Sequence, residues 1–191
     1  MKHDTVRSQA IQTARHWLSM NPVFLDTETT GLGEKDEICE LAIIDTDGSV
    51  LLETYVKPTI SIPASATHLH GIKDADVANA LGFAEVWPTQ LMILHGRAVV
   101  IYNAEYDTRM FYQSAAARCM PAFDLPFRSY CAMDLYAKFY GEWNERRLSY
   151  AWQSLTKAAL QCRIDPCGKF HRARADADTA RRLLMCMAEA Q

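Results

Sequence analysis

The chain has 191 residues, with 20 basic against 23 acidic side chains and 49% hydrophobic residues. That length suits one domain whose core hides roughly 70% of the extended-chain surface, and the mix of charge and apolar content excludes a disordered or fibrous chain. No apolar run approaches the roughly 18 residues of a membrane span, and Lys2, Asp4, Arg7 and Arg15 among scattered apolar residues do not make a signal peptide.

In chain order, Val6, Ala10, Ala14, Trp17 and Leu18 share one stripe, which predicts an amphipathic helix over 5–19 with Asp4 or Thr5 as its N-cap. Residues 1–20 thus form an N-terminal helical segment ahead of a body over 21–191. Such a helix can face a partner or a second copy of the chain, although it more often packs on its own domain. Val23-Phe24-Leu25 leads into Asp26 as a buried strand. Residues 37–46 form a second strand, and Asp47-Gly48 turns the chain into a third over 49–56, completing a meander. Residues 58–72, punctuated by Pro63 and Gly71, read as irregular. Helices are expected over 74–79 and 83–94, the latter distorted or started by Pro88. A strand over 97–102 precedes a helix over 104–117, and a short strand near 129–131 precedes a helix over 133–140. Further helices are expected over 148–160 and 174–189. Strands that first meander and then alternate with helices predict an α/β sandwich around a mixed sheet.

Charge is uneven along the chain: residues 1–96 carry 6 basic and 13 acidic groups, and residues 97–191 carry 14 and 10. Either an acidic, metal-binding half faces a basic, phosphate-binding half, or solvated charge is placed by chance. The six cysteines include no CxxC pair. A zinc reading of Cys162, Cys167 and His171 lacks a fourth ligand at suitable spacing, so reduced thiols in a cytoplasmic protein are the expectation.

Three blocks carry chemistry. In Phe24-Leu25-Asp26-Thr27-Glu28, period-two alternation puts Asp26 and Glu28 on one face of a strand. Adjacent carboxylates repel, and a hard divalent cation relieves them; the competing reading is a solvated acidic turn. Tyr102-Asn103-Ala104-Glu105-Tyr106-Asp107 follows a strand and places Asp107 in the first turn of a helix, where the helix dipole alone would favour an anion. His171-Arg172-Ala173-Arg174-Ala175-Asp176 again enters a helix, with the histidine five residues before the acid.

Together and in this order, the blocks resemble the three motifs of the DnaQ-like (DEDDh) 3′–5′ exonucleases of the ribonuclease H-like superfamily. Asp26 and Glu28 match the first motif, Asp107 closes the second, and His171 with Asp176 matches the third. His70-Gly71-Ile72 resembles a further element of that family, so the likeness spans about residues 22–188. Tyr102 stands where many members carry histidine, and Arg172 stands where a sister branch carries tyrosine.

The resemblance implies a central mixed β-sheet flanked by helices, built from a three-stranded antiparallel meander plus parallel strands. It implies two Mg²⁺ ions, with Mn²⁺ able to substitute, held by Asp26, Glu28, Asp107 and Asp176, and His171 as general base. It further implies substrate contacts from Thr29, Leu32, His70, Asn103 and Tyr106, with Leu32 wedged between the last two bases. For these contacts, simple packing is an equal alternative. Arg146, Arg147, Arg172 and Arg174 are further candidates to meet phosphates. The partner that the resemblance implies is a nucleic acid with a free 3′ end. The DTET form of the first motif tilts the substrate toward DNA, probed as a single strand. An RNA-trimming exoribonuclease and a polymerase-associated proofreading or adaptor module are the alternatives, the last weakened by the lack of a tethering tail beyond Gln191.

Overall fold

Val23–Thr29 (β1) is buried along almost its whole length because it is the central strand of a sheet covered on both faces. The computed structural model describes residues 2–166 and 168–191. Ile38–Asp45 (β2) pairs antiparallel with β1, and Val50–Tyr55 (β3) pairs antiparallel with β2. On the other side of β1, Ala98–Ile101 (β4) and Arg128–Cys131 (β5) run parallel to it, giving the order β3-β2-β1-β4-β5. This is the expected meander plus parallel strands.

The helices follow from what each face must bury. On one face, Phe24 and Val100 meet Lys2–Ser19 (α1), Ala132–Tyr140 (α6) and Ala173–Glu189 (α8). Small residues at Ala175, Thr179 and Ala180 let α8 lie close to β1 and β2. On the other face, Leu25, Leu41 and Ile101 meet Phe83–Leu94 (α4) and Ala104–Ala117 (α5) through Phe83, Met110 and Phe111. A third cluster of Cys39, Ile62, Ala66, Ile72 and Val77 seats two short helices, Ala64–His70 (α2) and Asp74–Val77 (α3), on the meander.

Some elements differ from the sequence expectations by more than a residue or two. The first helix begins at Lys2, so positions 4 and 5 lie inside it rather than at its N-cap. Residues 64–70 form α2 rather than irregular chain. This helix is too short to show an apolar period, but Pro63 starts it and Gly71 ends it in a left-handed conformation, φ 82°. The expected helix over 83–94 forms as α4, Phe83–Leu94, with Pro88 inside it rather than at its start. The expected helix over 148–160 forms only from Leu155 onward. Trp143–Asn144 (β6) and Ser149–Tyr150 (β7) form a hairpin in which Asn144 Oδ1 accepts from the backbone N–H groups of Arg146 and Arg147, both at 3.0 Å. Only after Ser154, whose hydroxyl accepts from Lys157 N, does Leu155–Gln161 (α7) begin. Among the described residues, no helix is long and apolar enough to cross a membrane.

Candidate active site

The carboxyl end of β1 carries the site. Phe24, Asp26 and Glu28 share the face that α8 covers, whereas Thr27 points toward α5. A register shift between Glu28 and Thr29 ends the regular pairing with β2, where Glu28 stands opposite Glu40. Asp107, buried in the first turn of α5, accepts a hydrogen bond from Thr27 Oγ1 at 2.7 Å. Asp176, in the first turn of α8, accepts one from the His171 backbone N–H at 3.2 Å. His171 itself adopts a left-handed backbone, φ 62°, which turns the loop sharply before the helix.

Among the described residues, one group of three potential ligands brings its atoms within 4.8 Å of one another: Glu28, His171 and Asp176. His171 is therefore within reach of whatever Glu28 and Asp176 hold. Asp26 and Asp107 lie outside that group but within electrostatic reach, and the acids charge one another unfavourably. Burial, then Asp107, Asp176, Glu28 and Glu40, push the Asp26 carboxyl well above the usual range. Burial, with Asp176, Glu40 and Asp107, lifts Glu28 to about 8, against a smaller opposing pull from Arg172. Burial lifts Asp107 and Asp176 to about 7 each, against the hydrogen bonds from Thr27 and from the His171 backbone. The His171 imidazole is pushed down by burial and by Lys169, so it is neutral at neutral pH.

This set of groups fits a divalent cation. Asp176 Oδ1 is buried and has no hydrogen-bond partner among the described residues, and an orphaned buried carboxylate oxygen is costly unless something positive meets it. The donors are hard oxygens with one imidazole beside them, the chemistry that Mg²⁺ and Mn²⁺ favour. Of the residues in the zinc reading, Cys167 lies outside the described residues, and the ligand atoms of His171 lie beside those of Glu28 and Asp176.

One member of the cluster escaped the sequence analysis. Glu40, 3% exposed, receives Arg172 Nε on both carboxylate oxygens at 3.1 Å, and Ala173 N–H at 2.9 Å. Arg172 also reaches the Tyr55 hydroxyl at 3.2 Å. The guanidinium thus ties the start of α8 to β2 while its side chain stays 38% exposed. Arg174 is likewise engaged, pairing with Glu53 at 3.2 Å. The only local signal for Glu40 was its position facing Glu28 across a predicted hairpin.

A groove of about 450 Å³ opens beside the carboxylates and is lined by Glu28, Thr29, Leu32, His70, Asn103 and Tyr106 among others. The expected substrate residues therefore do converge, but several are already occupied. His70 Nδ1 accepts from Ile72 N at 3.0 Å, which leaves Nε2–H to donate to Thr29 O at 3.2 Å. Both nitrogens are spent on backbone. The Tyr106 hydroxyl donates to Gly31 O at 2.9 Å and lies 2.5 Å from Thr29 Oγ1. Leu32, 79% exposed, stands at the rim on a loop held by Arg109 and Gln113. That loop needs Gly31, because a Cβ there would lie 2.7 Å from the Asp36 carboxylate, which also binds Thr30 Oγ1 and Gly33 N–H. A larger hollow of about 710 Å³ lies between α6 and the far end of α8, remote from these acids.

Comparison with known proteins agrees with this geometry. The RNase_T family model, described as exonuclease, matches residues 23–184. The uncharacterized exonuclease CP81 of Escherichia phage 186 is 43% identical over 169 residues, 86% of this chain and 87% of that protein. Exonuclease X, solved in complex with 5′ overhanging duplex DNA, is 25% identical, with a TM-score of 0.64 over 86% of this chain and 90% of its own. An exonuclease I from Methylocaldum szegediense, 18% identical with a TM-score of 0.72, covers 90% of this chain and 41% of its own, and shares the fold.

Proposed function

The chain belongs to the RNase_T exonuclease family, DnaQ-like nucleases of the ribonuclease H-like superfamily, and from that membership we propose that it removes nucleoside 5′-monophosphates stepwise from a 3′ end, acting on DNA and best on single strands. The observation that carries the reading is the convergence of Asp26, Glu28, Asp107 and Asp176 beside one neutral imidazole and one open groove. Asp26, Glu28 and Asp176 would hold one Mg²⁺, and Asp26 with Asp107 a second. Bound there, such ions supply charge stabilisation for the scissile phosphate and its attacking and leaving oxygens.

The chain's own groups do the rest. His171 accepts a proton from the attacking water through its unprotonated ring nitrogen, which burial keeps available at neutral pH. Leu32 and Tyr106 flank the last nucleotide, and the backbone held by His70 shapes the floor beneath it. The DTET first motif and the duplex-DNA complex of exonuclease X both support DNA as substrate. The described cysteines are free thiols, which supports a reducing, cytoplasmic setting.

The test is direct. Matched single-stranded DNA, duplex DNA and RNA, labelled at the 5′ end, should shorten one residue at a time from the 3′ end with Mg²⁺ or Mn²⁺, fastest on single-stranded DNA. A 3′ phosphate should block them. Asp26→Asn should retain less than about a tenth of the rate. Cleavage of a circular single strand would overturn the exonuclease polarity, and faster loss of RNA would overturn the preference.

A further inference from the structure

A second groove, about 550 Å³, adjoins the first: Asn103 and Tyr106 line both. It runs from Tyr106 past Met133 to Trp152, an indole 60% exposed at the foot of the β6–β7 hairpin. The hairpin is built to stand out from the body. Trp143 packs edge-on against Tyr150 with ring centroids 5.2 Å apart, and Ala151 N–H donates to Glu142 O at 2.7 Å, extending the ladder to its base. Its turn exposes Arg146, Arg147 and Leu148, the last 73% exposed with φ 50°. Large apolar groups in solvent beside a catalytic groove mark a binding surface rather than a core.

We propose that this groove and hairpin carry the single-stranded nucleic acid upstream of the nucleotide being removed, with Trp152 stacking one of its bases; the inference rests on the exonuclease reading above. Continuity identifies the occupant, because the two grooves share Asn103 and Tyr106, so a strand whose last residue fills the first groove reaches the second without leaving the surface. Charge orients the strand. Glu105 and Asp134 outnumber Arg109, which is bonded to the Leu32 loop, on the groove walls, so the bases face inward toward the indole and the backbone lies outward. Arg147 and Arg146 stand five and six residues along the hairpin from Trp152, roughly 17–20 Å of extended chain at most, about the reach of three nucleotides. Stacking on an exposed indole ignores base identity and sugar, so DNA and RNA strands are held alike, whereas bases paired in a duplex are unavailable.

The experiment compares wild type, Trp152→Ala, Trp152→Phe and Arg146→Ala/Arg147→Ala on ten-residue oligothymidylate, on its RNA counterpart, and on thymidine 5′-(p-nitrophenyl phosphate), which fills the first groove alone. Trp152→Ala should raise KM about 10-fold on both ten-residue strands with kcat nearly unchanged. It should leave hydrolysis of the nitrophenyl ester at the wild-type rate. Trp152→Phe should recover most of the loss, and the double arginine variant should weaken strand affinity with a shallower salt dependence. An unchanged KM on the long strands, an equal loss on the ester, or a loss confined to one of the two strands would overturn the proposal. Fluorescence anisotropy of labelled strands in EDTA gives an answer independent of turnover. A wild type that binds strands through Trp152 but hydrolyses nothing would refute the exonuclease reading and leave the groove assignment standing.

Discussion

His171 illustrates how one residue's surroundings set its role. Its ring is half-buried and lies within 4.8 Å of the Glu28 and Asp176 ligand atoms, close enough either to accept a proton or to bind a cation. Burial and Lys169 lower its pKa below the ordinary imidazole range, so the free base is present at neutral pH and disappears only as pH falls. As a general base, His171→Ala should lower kcat by about 10²–10⁴-fold and flatten the ascending limb of the pH–rate profile. Calorimetric titration with Mn²⁺ should then give the wild-type affinity. A large loss of Mn²⁺ affinity would make the imidazole a ligand instead. His70 contrasts with it: equally a histidine by the groove, but with both nitrogens bonded to backbone.

At the scale of elements, the start of α8 is positioned by β2. Arg172 and the Ala173 N–H both converge on the Glu40 carboxylate, so the turn that presents His171 and Asp176 hangs on a strand about 130 residues earlier. Glu40 also sits opposite Glu28, so the guanidinium tempers the acidic cluster while fixing the helix. Removing one partner strands a buried charge. Arg172→Leu should cost about 2 kcal/mol in urea denaturation and lower kcat, because Asp176 loses its register. Arg172→Leu combined with Glu40→Leu should recover most of the stability, since neither charge is then left unpaired. A double-mutant cycle with no coupling would reject the tether.

For the whole molecule, the carboxylate cluster links metal, pH and stability. Asp26, Glu28, Asp107 and Asp176 all have folded-state pKa values raised above the roughly 4 of the unfolded chain. A raised folded pKa adds stability that is complete below the unfolded value and is lost as pH climbs through the folded one, here about 7–8 for three of the acids. The lowered values of His70 and His171 act in the opposite sense, but only below about 6.5. Between pH 6.5 and 8, therefore, the protein in EDTA should lose melting temperature by several degrees. Saturating Mg²⁺ should cancel or reverse that slope, because a cation favours the charged acids. Scanning calorimetry in both conditions checks it, and parallel curves would mean that no cation shares this cluster.

What the sequence determined by itself is what short-range geometry encodes. Alternation along one strand put Asp26 and Glu28 on a common face, and the apolar patterning that preceded Asp107 and Asp176 put each in the first turn of a helix. The order of those blocks was enough for the family and the mixed sheet. Tertiary structure decided whatever joins distant segments. Glu40 looked like any residue of an amphipathic strand until Arg172 closed on it. The groove residues were nameable one by one, yet which atoms of His70, Thr29 and Tyr106 stay free depends on backbone brought in from three elements. The 143–150 hairpin turned on an asparagine side chain and a cross-strand aromatic pair, which outweighed local helix propensity. Periodicity fixes which face a side chain takes, because the backbone repeats every two or 3.6 residues. What that face meets is fixed by packing between parts of the chain that no local repeat connects.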